Sequence, residues 1–557
     1  MARRIRWQLL IAAISSLLVL LLMSQLALSS ASVARPVAGG AYVEGVVGAP
    51  RHLNPLVSDP ASDPTGADIQ ALVFDGLLRP GPDGLPLPAL AAALPDVSDD
   101  GLTYTFTLRP NVRWHDGAPL TVDDVVFTVR AIQRQGFAGD PQAAAIWRGV
   151  LIDTDGAGRV QVVLPQPYAP FAAMATFPIL PAHLLRDVPP EQWSGGAFSR
   201  QPIGTGPYRL RELTGERALL LANPAYFDGR PLIDSIELRF FPNTRTALAA
   251  LGRGEIDAVA APSIGDLQTV NLPRTIRQRA APLDSYTVLT FNLRRAPLSD
   301  QGLRRALATG LDKDGLIARA LKGGAQRIDT PLLPGTWAAS AAALWYPYNQ
   351  ARAAELLDSL GYQPGPDGAR VRDGAPLVLP LVTDDAPDRQ AVAQEIARQW
   401  GELGVNVEIE QLSGAALQAR LAAHDFTLAL HGWQRLGPDP DLLELWGSRG
   451  AAGGRNYAGL QDDQIDELLT NAQQDADQDS RAASYAAFER RWVELAPGII
   501  LYQPLLVYAA VGQLGGLEAD FAPLGSVAAP LFGREDRFRH VNRWFIRSTR
   551  EIRGDLR

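Results

Sequence analysis

The chain has 557 residues, 46% apolar and 20% charged, a composition that fits a folded chain of two or three domains and excludes a disordered one. Its formal charge of −8, with no concentrated basic face, argues against a nucleic-acid partner. It contains no cysteine, which excludes disulfides, thiolate metal sites, Cys nucleophiles and a lipid-modified N-terminal cysteine.

Arg3, Arg4 and Arg6 precede an apolar run at residues 9–28, long enough to cross a bilayer, which needs roughly 20 such residues. The charge asymmetry around it places the bulk of the chain outside the cytoplasm. Two readings stand: a cleaved signal peptide with Ser32-Val33-Ala34 as its small-residue site, or an uncleaved anchor. No second run of this kind follows.

Residues 36–70 read as loops between short strands, and 71–78 as a short helix ending near Gly76. The alternation of 102–109 predicts a strand with one buried face. Next come Trp114-His115-Asp116 and the pair Asp123-Asp124. They raise the question of a metal or acid–base site. Thr121 three residues before Asp124 is a capping-box spacing, Asp116-Gly117 is a turn dipeptide, and Val125, Val126, Val129 and Ile132 form a core face. A lone His beside one Asp lacks the further ligands of a metal site, so architecture is the expected role.

A Gly/Pro turn at 203–209 leads into a strand, 235–241 alternates as a strand, and 244–260 reads as helix then strand. A strand at 285–293 precedes two short helices, with Ser299 or Asp300 as N-cap. From 349 to 431 the rhythm is regular: a helix closed by Gly361, a strand at 377–383, a helix at 388–404, a strand at 405–412, then a helix and a strand. Such alternation predicts a parallel α/β sheet, with ligands beyond the carboxyl ends of its strands. The loop HGWQRLGPDPD, 431–441, is the best ligand-loop candidate by position, and His431 is the histidine to watch within it. The arginine-rich segment 532–557 reads as a solvated tail or edge. Hydrolase, nucleotide-binding and metalloprotease motifs are all missing from the sequence. An enzyme is therefore not expected, nor a cofactor or a metal site.

Several segments together resemble the family 5 solute-binding proteins of ABC importers, the oligopeptide, dipeptide and nickel-binding type. They are 73–132, with the block WHDGAPLTVDDVVF, then PIGTGPYRL at 202–210, 291–317, 351–362, HGWQRLGPDPDLLELWGS at 431–448, 497–510 and the Trp-Phe near 544. The likeness covers about 40–547.

The resemblance implies an α/β fold of two lobes, like the periplasmic binding proteins of class II, with a small domain inserted in the first lobe. The expected divisions are a signal peptide or anchor at 1–35, first-lobe segments at 36–72 and 196–285, and the inserted domain at 73–195. The second lobe follows at 286–503, a closing first-lobe segment at 504–547, and a tail at 548–557. It also implies an extracytoplasmic protein that closes on a small solute, such as an oligopeptide, and delivers it to an ABC permease, working as a monomer. A membrane-anchored sensor or chaperone on the same fold is the alternative.

Gly432 and Trp433 match the family's ligand-facing pair. His431, Gln434, Leu436 and Asp439 share their loop, and Tyr286, Asn292, Trp337 and Trp345 lie in segments bordering the cleft. Peptide-binding members supply an Asp to the peptide's α-ammonium where this chain has Leu436. An Arg used by members taking longer peptides corresponds to Leu430. A shifted loop would bring Asp439 or Asp441 into the ammonium role.

Overall fold

The computed structural model describes residues 7, 13–20, 23 and 32–552, apart from 58–59, 61, 136, 138, 140, 262, 341–345, 435, 438, 525 and 527. Most of the apolar run 9–28 and the candidate Trp345 thus lie outside the described residues.

One long sheet organises the chain. From one edge its strands are Asn406–Leu412, Val378–Asp384, Leu428–Gln434, Ser285–Phe291, Gly498–Val511, Ala258–Ala261, Ala41–Val47, Ser235–Phe241, Arg217–Ala222 and Tyr208–Leu213. The central strand Gly498–Val511 is 14 residues long and almost continuously apolar, as a strand covered on both faces must be. Its first part pairs with Ser285–Phe291, from Thr290 opposite Gly498 to Thr287 opposite Tyr502. Its last part pairs with Ala258–Ala261 and with Ile276–Pro282. Burial relaxes at its last residue, Val511, and, inside the strand, at Pro504 and Leu505, between the two parts. There the Leu283 N–H donates to the Pro504 carbonyl at 2.9 Å, and Gln503 Nε2 donates to the Leu283 carbonyl at 2.8 Å.

Separate cores flank this crossing. Around the first half, Tyr42, Leu238, Tyr508 and Trp544 join one cluster with Phe106, Trp147 and Val160. The last three belong to a region built on a four-stranded antiparallel sheet of Asp96–Val97, Thr103–Thr107, Arg159–Val163 and Leu151–Thr154. In the second half, Leu379, Ile396 and Trp400 pack on one side, and Tyr286, Val288, Trp446, Phe488 and Trp492 on another.

The regular 349–431 segment forms as its periodicity predicts. Val378–Asp384 runs parallel to Asn406–Leu412 and to Leu428–Gln434, with helices Pro387–Gly401 and Gly414–Ala422 as crossovers. The parallel run ends there, because Leu428–Gln434 is antiparallel to Ser285–Phe291. The sheet as a whole is mixed.

The His–Asp block is architecture. Asp124 accepts from the Thr121 N–H at 2.9 Å and from the Ala182 N–H at 2.8 Å, fixing the start of helix Val122–Ile132. His115 Nδ1 accepts from the Gly204 N–H at 3.3 Å, and its Nε2–H donates to the Gly206 carbonyl at 3.0 Å. Only a neutral imidazole does both, and burial lowers its pKa to about 4. The glycines are required here: a Cβ at Gly204 would fall 1.9 Å from the Val73 carbonyl oxygen.

Three expectations need correction. The helix expected at 71–78 is Pro64–Val73. Asp63 accepts from the Gly66 N–H at 3.0 Å, Pro64 opens the first turn, and Phe74 is already extended. Residues 64–70 therefore belong to a helix and not to loops. The strand read at 426–433 forms as Leu428–Gln434 and contains His431, Gly432 and Trp433, so the loop placed at 431–441 starts only after Gln434. The segment expected as a solvated tail is partly core: Arg537 is fully buried and meets Glu44 and Asp68, while Arg539 meets Asp520 at 2.5 Å.

Candidate solute-binding site

The carboxyl ends of the parallel strands Val378–Asp384 and Leu428–Gln434 lie side by side; His431, Gly432, Trp433, Gln434 and Tyr286 gather there, whereas Asn292, next to Phe291 opposite Leu428, lies at the other end of the strand. His431 sits opposite Val288, Gly432 opposite Thr287 and Trp433 opposite Tyr286. His431 is buried, with Nε2 2.9 Å from the Thr290 hydroxyl. Burial, then the charge of Arg389, pushes its pKa down to about 3, so it is neutral and belongs to the interior. Trp433 is half-buried. It stacks on Tyr457 at 5.2 Å between ring centroids, and the Arg455 guanidinium lies 5.7 Å from its ring.

Gly432 lies under the Arg389 guanidinium: a Cβ there would come within 3.0 Å of Nη2. Arg389 is paired with Asp384 at the end of its strand. Asp388, beside it at the start of helix Pro387–Gly401, has its pKa raised by burial and then by the charge of Asp266. Neither Arg389 nor Tyr457 was named by the sequence reading. The rule that ligands sit beyond parallel strand ends points to Asp384 and its neighbours once the strand is bounded.

Leu436 and Trp337 pack, with Trp433, against the same apolar cluster. Gln434 is exposed. Tyr286 is buried, and its hydroxyl accepts from Trp446 Nε1 at 3.3 Å. Asn292 is also interior. Its amide donates to the carbonyls of His424 and Phe426 at 2.9 and 2.8 Å and accepts from the Arg294 N–H, so it fastens a turn and has nothing left for a solute. Asp439 is held by Arg481 through two bonds of 2.9 and 2.5 Å, and Arg481 in turn covers the Trp337 ring at 4.7 Å. Asp441 accepts from Tyr168 at 3.1 Å and Gln473 at 3.0 Å.

The first half of the molecule reaches this rim. Besides Tyr168, the Ala169 N–H donates to the Gln473 carbonyl at 2.8 Å, and the Trp337 N–H to the Asp83 carbonyl at 2.9 Å. Among the described residues no group of three His, Asp or Glu is placed to hold a metal ion.

Residues 86–453 match the family described as bacterial extracellular solute-binding proteins, family 5. The chain belongs to that family. Its two halves are the family's two lobes, and it is the solute-binding component of an ABC importer, working outside the cytoplasm. Protein XP55 of Streptomyces lividans is 31% identical over 504 residues, covering 88% of this chain and 89% of that one. The oligopeptide-binding protein AppA of Bacillus subtilis, solved with a nonapeptide, is 25% identical in structural alignment. It has a TM-score of 0.69, over 92% of this chain and 100% of that one. The ABC transporter substrate-binding protein CtaP of Listeria monocytogenes aligns with a TM-score of 0.77 at 26% identity, over 91% and 99% of the two chains. In this family 5 protein Leu283 meets Gln503 and Pro504, and the neighbouring Asp284 accepts from the Gly437 N–H at 2.7 Å beside the candidate site.

Proposed function

We propose that this protein captures a peptide-like solute whose end at Leu436 carries no free ammonium, closes on it by rotation about residues 283–284 and 503–505, and passes it to its permease as a monomer. The domain divisions given above are part of this proposal. One observation carries the choice of solute: Leu436 packs with Trp337 and Trp433 on an apolar cluster, while Asp439 and Asp441 are both engaged. An ammonium buried at Leu436 would find Asp439 and Asp441 held by Arg481, Tyr168 and Gln473, and Asp284 already accepting from the Gly437 N–H at 2.7 Å, so its desolvation would be poorly repaid. Trp433 stacked on Tyr457 offers a flat apolar wall suited to a side chain or a blocked terminus. That AppA was solved with a nonapeptide supports the peptide-like class.

The test is thermal unfolding of the purified protein against free peptides, their N-acetylated forms, oligosaccharides and metal chelates. A solute at 100 times its dissociation constant adds about 2.7 kcal/mol. N-acetylated or uncharged ligands should raise the melting temperature. A shift with free peptides alone would mean that an ammonium site exists, and would overturn the reading.

A further inference from the structure

The first and last described strands meet. Ser32–Val37 pairs antiparallel with Arg547–Ile552 over six positions, from Ser32 opposite Ile552 to Val37 opposite Arg547. This ribbon is separate from the long sheet and is joined to it through Gly39 and Gly40, with φ of 128° and 98°. A Cβ at Gly40 would lie 2.5 Å from the Ile546 side chain, and one at Gly39 2.9 Å from Arg547. The turn thus closes under the C-terminal segment only with glycine.

The register bears on processing. Removal of the chain up to Ala34, the small-residue site, would take away Ser32, Val33 and Ala34, which are three of the six paired positions. Two-stranded ribbons are marginal even when whole, so the remainder would not hold Arg547–Ile552. Before the ribbon, residues 13–20 are helical, and Ile14, Leu17, Leu18, Val19 and Leu20 are each between 54% and 66% exposed. An apolar helix without protein packing requires another apolar medium. Residues 29–31, which link the apolar run to the ribbon, span at most roughly 14 Å.

We infer that residues 9–28 stay on the mature protein as its membrane anchor, and that the ribbon of Ser32–Val37 with Arg547–Ile552 is the stalk holding the first lobe against the outer face of the lipid bilayer. The inference rests on the extracytoplasmic reading above. It makes the C-terminal strand part of the anchor and keeps the solute cleft within reach of a permease in the same membrane.

The experiment expresses the full chain in a bacterial host, separates membranes, and reads the intact mass, the N-terminus and the proteolysis rate within 29–40. The expected result is the full 59.9 kDa chain in carbonate-washed membranes. Deletion of 547–557 should leave it there while cleavage within 29–40 becomes at least about tenfold faster. A soluble protein beginning at Ser32 or Arg35 overturns the anchor. A membrane-bound deletion variant cleaved no faster than the parent overturns the stalk. A full-length chain shielded from protease added to spheroplasts overturns the export reading first, and the inference with it.

Discussion

Tyr168 donates its phenolic hydrogen to Asp441 at 3.1 Å, and the two residues belong to opposite halves of the molecule. Gln473 donates to the same carboxylate oxygen at 3.0 Å, so the bond is part of a small latch at the rim of the candidate site. Tyr168→Phe removes one donor and keeps the ring. The closed form should lose about 1 kcal/mol, and solute binding should weaken roughly fivefold. Calorimetric titration checks it, and affinity unchanged within twofold would remove the latch from the mechanism.

Leu436 is the position at which solute charge can be tested directly. Leu436→Asp puts a carboxylate beside Trp337 and Trp433. It should give affinity for free peptides over N-acetylated ones by at least about tenfold, the order expected when a desolvated ammonium gains a partner. Melting curves with matched free and acetylated peptides decide. No change in preference would place Leu436 outside the solute's reach.

Glu489 predicts a pH effect. It is buried and accepts from the Thr330 hydroxyl and, at 3.3 Å, from the Ser340 N–H. Burial raises its pKa to about 7, with the Thr330 and Ser340 bonds and the charge of Arg490 opposing. The folded state thus keeps this proton to higher pH than the unfolded chain. The resulting stability is complete below about pH 4.3 and is lost as pH rises to about 7. Glu489→Gln keeps an acceptor and cannot titrate. Its stability relative to the parent should rise over that window, by up to about 1.4 kcal/mol per pH unit, and stay level outside it. Urea unfolding at a series of pH values would show a flat difference if Glu489 is ionised throughout.

Arg537 joins three distant segments. Its Nε donates to Glu44 at 2.9 Å and its Nη2 to Asp68 at 2.8 Å, while the hydroxyls of Tyr42 and Tyr508 donate to Glu44 at 2.6 Å each. Arg537→Met leaves the buried Glu44 carboxylate without its cation and Asp68 with Arg534 alone, at 3.1 Å. It should cost about 3 to 5 kcal/mol, read as a lower urea midpoint. Adding Glu44→Gln and Asp68→Asn should restore part of the loss. A single variant as stable as the parent would mean that water already solvates the cluster.

What was legible in the sequence was local. Thr121 could be read as one helix start and Ser299 or Asp300 as another, since a cap depends on residues two or three apart; Thr121 and Asp300 are the ones that begin helices. Strand 235–241 has the bounds read for it, with Ile236 and Leu238 facing the core. What was hidden depends on partners far along the chain. Arg537 looks like a solvated arginine because Glu44 and Asp68 lie 493 and 469 residues away. His431, Gly432 and Trp433 could be read both as the end of a strand at 426–433 and as the start of a loop; pairing with Ser285–Phe291 carries the strand through them. Tyr457 and Arg455 entered the site only through their contacts with Trp433.

The strand Gly498–Val511 also bears on how the protein is made. It lies between Ser285–Phe291 and Ala258–Ala261 in the finished sheet, so neither lobe can complete its sheet until the ribosome has passed residue 511. Through most of synthesis the chain therefore lacks the central seam that both lobes require. Pairings of such long sequence separation form slowly. A nascent chain held back in this way remains threadable through a translocation channel, and it reaches its folded form only on the far side of the membrane.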